Sequence, residues 1–180
     1  MKYWKIPNTE YPTYTINLGK LNSFNEINDI FAELNITKYV YDFTFNCTVI
    51  KYGISADFSY TWGERVYRQA GHLEGWDKRL VGSSGSDMRI INEDYVNQFG
   101  SKLNRNGMYV TIRDLSNAAN DNSSDRAWPC RKLERELIQA HINQFNKAPI
   151  GNKDEETKID RRAYVSKNTL SSLFGEFDNA

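Results

Sequence analysis

The stretch Tyr39-Val40-Tyr41-Asp42-Phe43-Thr44-Phe45 constrains this chain more than any other. Aromatic residues at every second position put Tyr39, Tyr41, Phe43 and Phe45 on one face of a strand, whereas a helix would scatter them around its circumference. Beyond Asn46-Cys47, the run Thr48-Val49-Ile50-Lys51-Tyr52-Gly53-Ile54 reads as a second strand, so an antiparallel hairpin is expected. Its register depends on the loop. A three- or five-residue loop sets Tyr41 opposite Lys51, and a two-residue loop sets Tyr41 opposite Tyr52.

The other elements follow from periodicity. Phe24, Ile27, Ile30, Phe31 and Leu34 fall on one helical stripe, with Ser23 and Glu26 as a capping box. Thr61-Trp62-Gly63-Glu64 is a second capping box. The helix behind it has Val66, Ala70 and Leu73 on one face and Arg65, Arg68 and His72 on another. A helical pattern recurs around Ile90–Phe99, and Met108–Arg113 alternates as a third strand. Pro129 suits a helix start, with Leu133, Leu137, Ile138 and Ile142 facing inward, and a last helix is expected around Ile159–Phe174. The order predicts an α+β fold, a small three-stranded and mainly antiparallel sheet flanked by helices. Residues 1-37 read as an N-terminal arm and helix, 38-152 as the core with an insertion at about 74-107, and 153-180 as a C-terminal tail.

At 180 residues the chain fits one domain with a self-sufficient core. No apolar run approaches the roughly 18 residues needed to span a bilayer, and no secretory signal opens the chain, so a soluble, cytoplasmic protein is expected. Two cysteines, Cys47 and Cys130, make neither a disulfide scaffold nor a zinc cluster. With 23 basic and 23 acidic side chains the net charge is zero. That excludes a purely electrostatic nucleic-acid binder but allows a nuclease with a local basic face.

The polar residues on these elements form an ordered set: a strand tyrosine, a lysine ten positions later on the next strand, an Arg-x-x-x-His pair on a helix, and a glutamate on the last long helix. This set resembles the GIY-YIG nuclease superfamily over about residues 38-152. The matching segments are Tyr39-Val40-Tyr41, Lys51-Tyr52-Gly53, Arg68-Gln69-Ala70-Gly71-His72, and Leu133-Glu134-Arg135-Glu136-Leu137-Ile138 followed by Pro149-Ile150-Gly151-Asn152. Tyr39 replaces the glycine of the first motif. Lys51 stands where tyrosine is usual, as in a subset that includes type II restriction endonucleases. Either Asn146 or Asn152 corresponds to the distal asparagine.

The resemblance implies a one-metal phosphodiesterase that leaves a 5′-phosphate and a 3′-hydroxyl. Its catalytic set would be Tyr41, Lys51, Arg68, His72 and Glu134, with Tyr39, Tyr52, Arg65 and Asn152 as secondary or phosphate-binding residues. Glu134 would hold one Mg²⁺ (or Mn²⁺) through hard oxygen ligands. Arg68 would offer a planar fork to phosphate oxygens, and His72 would bind phosphate, hold the water or shuttle a proton. A cationic Lys51 across the hairpin from Tyr41 would favour the phenolate that activates water, which requires the odd-loop register.

The expected activity is sequence-specific cleavage of double-stranded DNA, with a homodimer on a palindromic site. Candidates for base readout are Lys78, Arg79, Arg89, Asn92, Lys102, Asn104, Arg105 and Asn106, and for a backbone clamp Lys158, Arg161, Arg162 and Lys167. The alternatives are a phage, homing or repair nuclease of the same fold, or a non-catalytic DNA-binding module.

Overall fold

A computed structural model describes residues 1–56, 63–74 and 88–152. Five strands form one antiparallel sheet: β1 (Tyr3–Ile6), β2 (Thr13–Asn17), β3 (Tyr39–Phe45), β4 (Thr48–Ser55) and β5 (Met108–Asp114), in the order β1-β2-β5-β3-β4. Four helices are present among the described residues: α1 (Asn25–Leu34), α2 (Glu64–Leu73), α3 (Met88–Phe99) and α4 (Trp128–Phe145). No helix among the described residues is long and apolar enough to cross a membrane.

The α+β class holds, but the sheet has five strands instead of three. Residues 1–37 are not appended to it. They supply β1 and β2, and β2 pairs along β5 from Thr13↔Arg113 to Asn17↔Tyr109. The segment at 74–107 likewise enters the core, because α3 buries Met88, Ile91 and Tyr95. The expected Thr61-Trp62 cap, Lys78 and Arg79, the last helix and its basic residues lie outside the described residues.

The period-two pattern of β3 separates two layers. Tyr39, Tyr41, Phe43 and Phe45 join Phe31, Val66, Ala70, Ile91 and Val110 in the main core, under α1, α2 and α3. Val40, on the opposite face, packs with Leu115 and Cys130, and Tyr52 packs with Ile138, Ile142 and Ala148 under α4. On that second face Asp42 is buried, yet both its oxygens are engaged, by Arg113 at 2.7 Å and Thr44 at 3.0 Å. Its role is structural.

The hairpin has a two-residue loop. Asn46 and Cys47 both have positive φ, 47° and 64°, the geometry whose twist matches the flanking strands. The pairing starts as Phe45↔Thr48 and Thr44↔Val49, then shifts to Phe43↔Lys51, so Ile50 is a one-residue bulge. Tyr41 therefore faces Gly53, neither Lys51 nor Tyr52.

Candidate active site

The bulge matters because Gly53 is the one residue type that leaves room for the Tyr41 ring. A Cβ on Gly53 would lie 2.4 Å from both the Cζ and the hydroxyl oxygen of Tyr41. The ring thus lies across β4, an edge strand, with its hydroxyl over the Gly53 backbone. Gly53 thereby positions the buried phenol against the edge strand β4.

Three groups bear on that phenol through their charge: Tyr39, Arg65 and Glu134. Arg65 comes from the first turn of α2 and Glu134 from α4, so the site draws on both layers where they meet around β4. Burial pushes the Tyr41 pKa well above its ordinary value near 10, Tyr39 and Glu134 push it in the same direction, and Arg65 opposes them. The buried Tyr39 hydroxyl sits near Ser55, the Val66 amide and Arg65. Among the described residues it makes no hydrogen bond of good geometry. Its ring packs 4.7 Å from Phe31 and 6.1 Å from Tyr41, which fixes the pair.

Arg65, not Arg68, is the arginine whose charge bears on the phenols. Arg68 is exposed, and its guanidinium is bound by Glu64 one turn earlier, at 2.9 Å through Nε and 2.6 Å through a terminal nitrogen. The helix wheel explains the swap. Relative to the buried stripe of Val66, Ala70 and Leu73, Arg65 lies about 100° round and Arg68 about 160°, at 100° per residue. Gln69 shares the Arg65 flank, with its buried Oε1 lacking a partner among the described residues. His72 is on that flank too but two turns on, about 10 Å along the axis. It lines a cleft of about 510 Å³ with Glu74, Arg89, Asn92 and Lys102 between α2 and α3.

Lys51 is 5% exposed and opposes Phe43, so it shares the face of Tyr41 one register step away. The phenolate route required direct opposition of Lys51 and Tyr41, and the bulge removes it. Replacing Lys51 with methionine is therefore expected to lower any cleavage rate without moving its pH optimum between about pH 6 and 9. The rate measured as a function of pH checks this, and an upward shift of the optimum would restore the phenolate. Tyr52 belongs elsewhere. Its neighbour Gly53 faces Tyr41, so Tyr52 points to the α4 layer and cannot contact phosphate at this site.

The two distal asparagines have distinct structural tasks. Asn146 is the left-handed C-cap of α4, with φ 58° and ψ 20°, and its N–H donates to the Ile142 carbonyl at 2.7 Å. Asn152 clamps the open edge of β4: its Oδ1 accepts from the Tyr52 N–H at 2.7 Å and its Nδ2 donates to the Tyr52 carbonyl at 3.0 Å. Gly151 lets this segment approach, since a Cβ there would lie 2.7 Å from the Lys51 Cβ. Asn152 thus holds the strand that carries Lys51 and Gly53. Asn152→Ala is expected to cost about 1–3 kcal/mol, by leaving buried backbone groups unpaired. Thermal melting should drop by roughly 2–4 °C per kcal/mol; an unchanged melt would dismiss the clamp.

Several expected DNA contacts are also occupied. Arg105 pairs with Glu74 at 3.0 Å and stacks 4.4 Å over Phe24. Asn92 accepts from the Leu103 N–H and Asn104 from the Asn106 N–H. Among the described residues no group of three or more His, Cys, Asp and Glu side chains is placed to hold a metal on protein ligands alone. The chain matches no family model, no curated protein and no solved structure.

Proposed function

We propose that this protein is a metal-dependent endonuclease that hydrolyses double-stranded DNA at a specific sequence, with a sequence that resembles the restriction-enzyme branch of the GIY-YIG nucleases. What supports the reading is that the Tyr41 phenol, buried against the edge strand β4, feels the charges of Arg65 from α2 and Glu134 from α4. Each comes from a different element of the fold.

Hydrolysis of a phosphodiester requires a positioned water and stabilisation of the charge that builds on phosphate. Arg65 would supply a planar donor fork from α2, and its charge would count most as negative charge grows in the transition state. The Tyr41 hydroxyl, kept neutral by burial, can orient a water or donate a hydrogen bond to a phosphate oxygen. Buried Lys51 adds a cation on the same face. Glu134 would hold a divalent cation, Mg²⁺ or Mn²⁺; one carboxylate suffices because substrate oxygens and water complete such a shell, and the ion would lower the pKa of its water and polarise the phosphate. A 5′-phosphate and 3′-hydroxyl are the products of this chemistry. Cutting both strands of a palindrome fits a two-fold homodimer.

The test is incubation of unmodified plasmid and phage DNA with pure protein in Mg²⁺ and in EDTA. Discrete fragments in Mg²⁺ and intact DNA in EDTA are expected. Smears would mean cleavage without sequence specificity, and cutting in EDTA or none at all would overturn the reading.

A further inference from the structure

At the end of the sheet where β3 begins, a cavity of about 220 Å³ is lined by Thr37, Lys38, Ala56, Ser116, Asn120 and Arg126. At about 30 Å³ per water it has room for a phosphate group with solvent. Among the described residues that line it, two are cationic and none is acidic. Both cations are mounted on anchored backbone. The Ser116 hydroxyl accepts from the Thr37 and Lys38 amides at 2.9 and 3.4 Å, and the Lys38 carbonyl accepts from the Leu115 N–H at 2.8 Å. Asp125, next to Arg126, has a carbonyl that accepts from Asn120 and Trp128 and a carboxylate that accepts from Ala127 and Arg131. Asp114 lies behind Ser116, where it accepts both the Ser116 amide and hydroxyl.

The cavity adjoins the catalytic candidates. Lys38 precedes Tyr39, and Ala56 follows Ser55, the neighbour of the Tyr39 hydroxyl. Burial raises the Cys130 thiol pKa to about 12, and the charges of Lys38 and of Glu134, one turn further along α4, act on it in opposite directions. A backbone running past Glu134 and Tyr41 would bring its neighbouring phosphates over this end of the sheet.

We propose that this cavity binds a DNA backbone phosphate flanking the one that is cut, held by Lys38 and Arg126. The proposal rests on the nuclease reading. Phosphate contacts of this kind set register and affinity, and they leave the chemical step alone.

The experiment measures binding of labelled plasmid-derived duplex to the full chain in EDTA at several salt concentrations. It compares wild type with Lys38→Gln/Arg126→Gln and with Lys5→Gln/Lys20→Gln, a pair of exposed lysines away from the cavity. The cavity variant should bind roughly tenfold or more weakly, and the slope of log K against log salt should flatten by about one to two. Its single-turnover cleavage at saturating DNA in Mg²⁺ should stay within about threefold of wild type, and circular dichroism melts should show that it folds. The distal variant should retain wild-type affinity. If wild type binds and cuts while the cavity variant keeps its affinity and slope, the phosphate cavity is wrong and the nuclease stands. An equal loss in both double variants reduces the effect to overall charge and overturns the cavity. If wild type neither binds nor cuts, both readings fall.

Discussion

Arg65→Ala is expected to lower single-turnover DNA cleavage by about two to three orders of magnitude, the usual cost of losing one donor to developing charge, while Arg68→Ala costs less than about tenfold. The difference follows from position. The Arg65 charge reaches both buried phenols, whereas the Arg68 guanidinium lies on the outer side of α2, bound to Glu64. Binding in EDTA should change little for either variant, because Arg65 helps most when charge builds during the reaction. Glu134→Ala should fall at least as far as Arg65→Ala and lose its response to Mg²⁺. Arg65→Lys should rescue only partly, since an ammonium keeps the charge but not the planar fork. If Arg68→Ala proves the more damaging, the phosphate is approached from the outer side of α2 and the site drawn here is wrong.

The alternation of Tyr39 to Phe45 was legible because period two is a property of seven neighbouring residues, and it sorted the two faces of β3 correctly. The bulge at Ile50 was not. Loop length alone gives registers that pair Tyr41 with Lys51 or Tyr52, and only the shift between Phe43 and Thr44 puts Gly53 there. Ile50 and Lys51 both enter the main core face as a result, one buried in the apolar cluster and the other opposite Phe43. The place of the N-terminal strands in the sheet is not legible in the sequence, because β2 joins it through β5, about a hundred residues away, and nothing local announces that pairing. The choice between Arg65 and Arg68 was recoverable from the sequence. The stripe of Val66, Ala70 and Leu73 fixes the phase of α2, and that phase sets Arg65 closer to the buried side than Arg68. The clamp that Asn152 makes on the Tyr52 backbone is not legible in the sequence, since it exists only once the chain has folded back on β4.

Gly53→Ala provides the sharpest test of how the fold presents the phenol. In an ordinary strand an added methyl group at a glycine is favourable, because glycine weakens strands. Here the methyl would sit 2.4 Å from the Tyr41 ring tip, inside a side chain that is 2% exposed and packed against Tyr39 and Phe43. The ring must move or β4 must shift, and overpacking of this kind costs about 1–3 kcal/mol. Because the hydroxyl is at the point of collision, cleavage should fall as well, by about a hundredfold for a displacement near 1 Å. A cycle with Tyr41→Leu separates the two effects: without the ring tip, Gly53→Ala should become nearly neutral in stability, giving a coupling of about 0.5–3 kcal/mol. Cleavage should remain lost in the double variant, since the phenol is absent. If Gly53→Ala instead stabilises the protein and leaves cleavage intact, the Tyr41 ring does not lie over β4, and the meeting of Tyr41, Arg65 and Glu134 at that edge is not the functional site.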